Sequence, residues 1–194
     1  MSNFYKFFLG ITIFGLLFST SLYAGDIEER KKAAVKTTKE FVKTLGGHMK
    51  GAMKEGGPTN AVKVCSEIAP QLTGDISRKT GWKVTRVGTR VRNSMLGTPD
   101  AWEQKVLAQF EARKTKGEAL KKMAFSEVVE EPNGKYFRFM KAIPVQRACL
   151  QCHGSKKDVL PEVEMILEEQ YPHDRARNYK VGDLRGAVSI KQPM

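Results

Sequence analysis

The segment RACLQCHG, residues 147–154, holds two cysteines separated by two residues, with a histidine directly after the second. This C-x-x-C-H spacing is typical of covalent haem attachment, in which each cysteine sulfur bonds to a vinyl group of the haem. Cys149 and Cys152 are then the attachment residues, and His153 is one axial ligand of the iron. The ligand on the opposite face decides between an electron carrier, a gas binder and a sensor.

The same motif has two other chemical uses. A thioredoxin-like redox pair requires its cysteines at the start of a helix in a βαβ unit, and the flanking sequence does not predict one. A structural zinc site requires four ligands, and Cys65, Cys149, Cys152 and His153 make up a Cys3His set. Simultaneous tetrahedral ligation by the adjacent Cys152 and His153 is awkward, so the spacing favours haem.

The residues alone leave the second axial ligand open. Cys65 recurs with Ala61, Ile68 and Leu72 at helical spacing, which predicts a short helix with the thiol pointing inward. A buried helical cysteine is more often a small hydrophobic residue than a ligand. His173, in the polar segment YPHDRAR, competes with it. His48 and the methionines are the remaining candidates.

The N-terminus predicts export. Lys6 precedes the apolar run FFLGITIFGLLF, and STSLYA follows. The run is shorter than the ~20 residues that span a bilayer, so we interpret residues 1–24 as a secretory signal peptide cleaved near Ala24. An uncleaved anchor is the alternative. Residues 25–194 then form a single periplasmic domain, with its three cysteines in an oxidising compartment.

The chain is basic, with a formal net charge of +12. An exported protein does not meet nucleic acid, so the charge favours an anionic membrane surface, an acidic redox partner protein or the two haem propionates. A solvated basic surface is the alternative. Because arginine binds carboxylates bidentately, Arg86, Arg90 and Arg92 are candidate propionate contacts. Four other arginines compete with them: Arg138, Arg147, Arg175 and Arg177.

Sequence patterns predict helices followed by strands. Apolar spacing indicates a long amphipathic helix over 26–53 that ends at Gly56, Gly57 and Pro58. GWKVTRVGTRVRNS predicts a strand ending near Asn93, and a helix begins after Thr98. FSEVVEEPNGKYFRFMKAIPV predicts a hairpin, PEVEMILEEQ a short helix, and GDLRGAVSI a final strand. This order indicates an α+β domain with an antiparallel sheet.

Four segments carry a family resemblance: AVKVCSEIAPQLT, TRVGTRVRNSMLGTPDAWEQKVLAQF, YFRFMKAIPVQRACLQCHG and YPHDRARNYKVGDLRGAVSI. In this order they resemble an exported single-haem c-type domain family of unknown function, represented by a cyanobacterial haem protein. The resemblance implies a PAS-like antiparallel sheet with long N-terminal helices and one covalent haem c. It also implies His153 and Cys65 as axial ligands. The run NSMLGTPDAWE departs from the family's proline-containing RNP run, so the loop near the haem differs.

Thiolate ligation predicts a low reduction potential. Ferric iron, the porphyrin and a thiolate sum to zero charge, and reduction leaves one negative charge in a partly buried site. Burying a charge costs several kcal/mol, which lowers the potential by roughly a few hundred millivolts. Release of the sulfur on reduction opens a position for a small gas such as NO or CO, or for His173. We therefore expect a redox or small-gas sensor.

Two other functions stay open. A low-potential electron-transfer cytochrome is the main alternative, because the chain shows no attached output domain. A haem enzyme acting on small nitrogen or oxygen species is the third. It needs an open iron position and a distal acid or base, and the sequence shows neither, so we favour a protein without enzymatic activity.

Overall fold

The computed structural model describes residues 12–194, with side chains from Gly25 onward. Residues 1–11 of the predicted signal peptide, and the side chains of all 24 of its residues, lie outside this description, so cleavage near Ala24 and a periplasmic location stay predictions. Within the described residues, no helix is long and apolar enough to cross a bilayer.

The N-terminal half is helical. Helix α1, Thr12–Lys63, is interrupted at Gly56 and Gly57, where the backbone leaves helical geometry. Gly57 has a φ of 67°, a conformation that glycine adopts without steric cost. Pro58 then begins the second part of the helix, since its fixed φ suits a first turn. The predicted end of the long helix at this Gly-Gly-Pro sequence is confirmed.

A π-helical turn, Val64–Ile68, connects α1 to helix α2, Ala69–Thr80. Helix α2 ends where Gly81, with a φ of 72°, donates its N–H to the Ser77 carbonyl at 2.9 Å. The remaining elements are β1 Lys83–Gly88, α3 Ser94–Gly97, α4 Ala101–Thr115, β2 Ala124–Glu131, β3 Gly134–Pro144, α5 Leu150–His153, α6 Pro161–Gln170 and β4 Leu184–Pro193.

All four strands form one antiparallel sheet in the order β1-β4-β3-β2. Glu131 pairs with Gly134, so Pro132 and Asn133 form a two-residue loop and the predicted hairpin is confirmed. The C-terminal strand β4 lies in the interior of the sheet, between β1 and β3. The α+β fold with an antiparallel sheet and a long N-terminal helix is therefore confirmed.

Helices cover both faces of the sheet. Alternate strand residues point to opposite sides, and each face carries apolar side chains that a helix buries. Phe137, Phe139 and Ile190 pack with Phe41 of α1. The opposite face of the sheet packs against α4. There Met140 and other apolar side chains surround Phe110: Val87, Val106, Leu107, Ala142, Leu184 and Ala187. The sheet therefore forms the middle layer between α1 and α2 on one side and α4 on the other.

The predicted strand up to Asn93 is too long, because β1 ends at Gly88. The next residues turn away from the sheet, and the Thr89 hydroxyl donates to the Leu184 carbonyl at 2.9 Å. Asn93 instead caps α3, its side chain accepting from the N–H groups of the first turn. The β-branched residues of this segment are typical of a strand, but contacts with distant residues favour a loop after Gly88.

Candidate functional site

The C-x-x-C-H motif follows β3 in two short helical turns. Residues Arg147–Cys149 form a 3₁₀ turn that leads into α5, and Gly154 ends α5. A β-carbon added at Gly154 would lie 2.6 Å from the Leu150 carbonyl oxygen, so the motif fits only a glycine here. The sequence CHG therefore combines the predicted ligand with the residue that lets the chain turn after it.

The two motif cysteines face different parts of the protein. Cys149 packs beside Val145, Ala176 and Tyr179, and its sulfur accepts the Gln146 N–H at 3.3 Å. Cys152 packs against a separate apolar cluster of Val62, Val159, Val163 and Leu167. Both thiols are half-buried and free.

A single hydrogen bond sets the tautomer of His153. Its Nδ1 lies 2.9 Å from the Ala176 carbonyl oxygen. A carbonyl only accepts, so Nδ1 carries the proton and Nε2 keeps its lone pair. Desolvation, together with the positive charges of Arg185 and Arg92, holds the pKa of His153 well below its usual value. The imidazole is therefore neutral, with Nε2 available to a metal.

A buried ion pair holds the loops around this histidine. The Arg92 guanidinium donates to the Cys152 carbonyl oxygen and, through Nε, to Asp174 at 3.0 Å. Asp174 also accepts from Arg177 Nε at 2.7 Å. The Arg92 and Asp174 side chains are only 8% and 4% exposed. Arg92 thus joins the segment after β1, the motif and the loop after α6.

Cys65 lies beside the motif. Val62, three residues before Cys65, belongs to the apolar cluster against which Cys152 and Tyr171 both pack. Burial is the main cause that raises the pKa of Cys152 to about 11. The structure therefore places the turn that contains Cys65 near Cys152, which directly precedes His153 in the motif.

The predicted inward direction of the Cys65 thiol stays a prediction. Cys65 is half-buried, whereas the preceding Val64 is buried. The reason is the π turn, whose hydrogen bonds span one more residue than those of an α-helix and so shift the spacing of the buried face. Such turns are frequent at functional sites.

The predicted propionate contacts have different surroundings. Arg90 lies 3.7 Å above the Tyr179 ring and 3.8 Å from Asp183, while Arg92 is part of the buried ion pair. Arg86, on β1, is half-buried and has no ion pair among the described residues. His173 is exposed in the loop after α6. The roles of these residues stay predictions.

Sequence reasoning missed four residues near His153: Asp174, Ala176, Tyr179 and Arg185. Tyr179 packs edge-on against the imidazole, with ring centroids 6.1 Å apart. All four lie in YPHDRARNYKVGDLRGAVSI, one of the segments that carried the family resemblance. That segment gave a signal for the region, but the side chains that contact the motif are fixed only by the fold.

Two further observations bear on what this region can bind. Among the described side chains, no three His, Cys, Asp or Glu residues are grouped to hold a metal ion, so the Cys3His zinc set is not assembled. An open groove of about 490 Å³ lies along the last turns of the first part of α1, and Val64, next to Cys65, lines it. His48, one of the candidate second ligands, lines this groove, whereas Cys65 and His153 do not.

Comparisons with known proteins agree with the geometry. No curated protein is significantly similar in sequence. A solved structure, described as the cyanobacterial heme-protein Tll0287, matches with a TM-score of 0.66 and 27% identity, covering 86% of this chain and 96% of that one. The Tll0287-like family model matches residues 22–193. The chain therefore belongs to the Tll0287-like family.

Proposed function

We propose that this protein binds one haem c covalently through Cys149 and Cys152, with His153 and Cys65 as the axial ligands of the iron. The observation that carries the proposal is the hydrogen bond from His153 Nδ1 to Ala176, which leaves Nε2 unprotonated beside two free thiols. The similar cyanobacterial protein is itself a heme protein.

The side chains fit this cofactor. When bound, the haem supplies a one-electron couple and an iron that can bind a small gas. Cys149 and Cys152 have the sequence spacing that is typical of thioether attachment. The Ala176 carbonyl orients the imidazole, as hydrogen-bonded neighbours of a ligating histidine generally do. Arg92 holds the Cys152 carbonyl and so keeps the motif against the loop after α6.

The function that this ligand set supports best is redox or small-gas sensing in the periplasm. A thiolate from Cys65 keeps the oxidised site neutral, so reduction adds an uncompensated charge and favours protonation or release of the sulfur. The half-buried position of Cys65 in a π turn leaves it less constrained than a core residue. Release opens a position for NO or CO, or for His173.

A low-potential electron-transfer cytochrome is the second candidate. The chain carries a net charge of +12, which suits an acidic redox partner protein. The two candidates make different demands on Cys65: a carrier keeps the same ligands in both oxidation states, and a sensor exchanges one.

Haem attachment is tested by expressing the full chain with a cytochrome c maturation system. We expect one haem that stays bound on denaturing gels, a haemochrome spectrum typical of two thioether bonds, and no attachment in the Cys149→Ser, Cys152→Ser double variant. Cys65→Ser is the matched control, because it removes a thiol but keeps the attachment motif. A wild-type chain without covalent haem overturns the proposal.

Sensor and carrier are separated by the reduced protein. We expect CO or NO to bind on reduction and the axial ligation to change, observed by absorption spectroscopy. A reduced form that takes up neither gas and keeps its ligands overturns the sensor role. N-terminal sequencing of protein from a periplasmic fraction tests export and the cleavage site near Ala24.

A further inference from the structure

We infer that Arg185, assisted by Arg86, binds the carboxylate groups of the haem. Neither the C-x-x-C-H motif nor the family match assigns a residue to these groups. The inference rests on the proposed haem binding and concerns how this chain compensates the two negative charges that the cofactor brings.

Arg185 is a cation without an anion. It directly follows Leu184, the first residue of β4, and its Nη1 donates to the Arg90 carbonyl oxygen at 3.0 Å. Its guanidinium carbon lies 5.4 Å from the centre of the Tyr179 ring. No carboxylate of the described residues lies within ion-pair distance of it. Its polar protein contacts, the Arg90 carbonyl and the Tyr179 hydroxyl, are thus neutral groups.

The position of Arg185 relates it to the predicted iron ligand. Tyr179 contacts both residues, since its ring meets the His153 imidazole edge-on and the Arg185 guanidinium from another side. A cation held this near the iron ligand is placed for a carboxylate on the edge of the porphyrin.

Desolvation makes the unpaired charge costly. Burial lowers the pKa of Arg185, and the positive charges of Arg92 and Arg86 lower it further. A guanidinium removed from water is stabilised when an anion accepts its hydrogen bonds, and the planar guanidinium matches a carboxylate bidentately. An anionic ligand group therefore completes this part of the site.

Arg86 is the second member of the pair. It lies on β1, opposite Val188 of β4, in a register that places Gly88 opposite Gly186, next to Arg185. Its charge also acts on Tyr171, the neighbour of Cys65. Arg86 and Arg185 therefore carry positive charge toward both the His153 side and the Cys65 side of the site.

The other buried or half-buried arginines near the motif already have carboxylate partners. Arg92 and Arg177 share Asp174, and Arg90 lies near Asp183. Arg138 is buried among acidic side chains, with Asp100 at 2.6 Å and Glu103 at 3.5 Å. Arg147 and Arg175 also lack an ion pair within the described part of the chain, but both are exposed to solvent. Arg185 and Arg86 are therefore the half-buried arginines of this region that are left for a ligand.

The test compares holoprotein variants by their midpoint potential from about pH 5 to about pH 8, a range in which a free carboxylate begins to protonate. In wild type the arginine keeps the propionate ionised, so the propionate adds little to the pH dependence of the potential. We expect Arg185→Gln to lower the potential at the alkaline end, because a positive charge is lost. We also expect the potential of Arg185→Gln to rise as the pH falls, because the propionate without its arginine then protonates.

Arg147→Gln is the matched control, since Arg147 is exposed beside the motif. Arg185→Lys should restore most of the wild-type potential at the alkaline end. If Arg185→Gln does not accumulate as folded protein, Arg86→Gln is the second variant, because Arg86 makes no hydrogen bond that the fold depends on. We expect its midpoint potential to shift in the same direction as that of Arg185→Gln, by a smaller amount.

Two results overturn the inference while haem binding stands. One is a pH profile for Arg185→Gln and Arg86→Gln equal to that of Arg147→Gln. The other is a wild-type potential that shifts on titration with inorganic phosphate while that of Arg185→Gln does not, which would mean that the arginine binds an exchangeable anion. Absence of covalent haem in wild type overturns the proposed function itself.

Discussion

His153 Nδ1 donates its hydrogen to the Ala176 carbonyl oxygen across 2.9 Å, and Ala176 lies in the loop after α6 that also contains Asp174. The Asp174 carboxylate accepts the Ala176 N–H at 2.8 Å and, at the same time, binds the Arg92 guanidinium at 3.0 Å. The orientation of the imidazole therefore depends on an ion pair that does not touch the imidazole itself.

Replacing Arg92 should weaken both the fold and the site. Arg92→Gln leaves a buried carboxylate with one cation, Arg177, instead of two, and leaves the Cys152 carbonyl without its donor. We expect the free energy of unfolding to fall by about 3 kcal/mol, within the range for breaking a buried ion pair. Urea titration measures it. Arg175→Gln, an exposed change in the same loop, is the control and should cost less than about 0.5 kcal/mol.

Replacing Cys65 should change the spectrum of the iron and leave the haem attached. In the oxidised Cys65→Ser protein we expect loss of the low-spin thiolate signature in electron paramagnetic resonance, together with a higher midpoint potential. Ser66→Ala is the matched control, because Ser66 occupies the same π turn and is also half-buried. An unchanged signal in Cys65→Ser would mean that another residue, such as His173, is the ligand.

Gly186 should tolerate no side chain. Its φ is 151°, and a β-carbon would lie 1.9 Å from the Val87 carbonyl oxygen on the paired strand. Gly186→Ala must therefore push β1 away from β4, and we expect a loss of more than about 3 kcal/mol or failure to fold. Gly47→Ala is the control. Nothing lies within 4 Å of its added β-carbon, so this helical change should stabilise by about 0.5–1 kcal/mol.

Acid should weaken the contacts of Asp100. Burial opposes ionisation, but hydrogen bonds from Arg138 and the Glu103 N–H, with the Arg138 charge, outweigh it and lower the pKa of Asp100. A lowered pKa contributes stability above the unfolded-state value of about 3.9, and this stability is lost as the pH falls through the folded-state value. Urea midpoints should therefore fall less between about pH 5 and about pH 3 in Asp100→Asn than in wild type. Equal slopes would contradict this prediction.

Local sequence signals predicted the elements whose ends are chemically marked. The hairpin loop at Pro132 and Asn133 and the break at Gly56 and Gly57 depend on backbone preferences that act within a few residues. Asp100 also caps α4 in a reciprocal pair with Glu103, close to the predicted start after Thr98. In each case the residue types specify the geometry without help from distant contacts.

The missed features depend on residues far apart in the chain. The segment after Gly88 leaves the sheet because Arg90 stacks on Tyr179 and Val91 accepts the Arg175 N–H, contacts that span more than eighty residues. The π turn at Cys65 likewise has no simple sequence signal, because one additional residue per turn changes the buried face without changing the composition. The motif spacing predicts His153 as a ligand, whereas the hydrogen-bond partner of His153 is a backbone atom of Ala176, which no side-chain pattern indicates.

The sheet cannot be completed before β4 is made, because β4 lies between β1 and β3. Strand β1 pairs only with β4 among the described strands, and β4 comprises Leu184–Pro193, near the C-terminus. During synthesis the chain therefore presents Cys149 and Cys152 before it contains the strand that completes the sheet. Until β4 is made, β1 has no partner among the described strands, so the sheet is incomplete while both thiols are already present. Under the proposed haem binding, attachment to these thiols can precede closure of the sheet by β4.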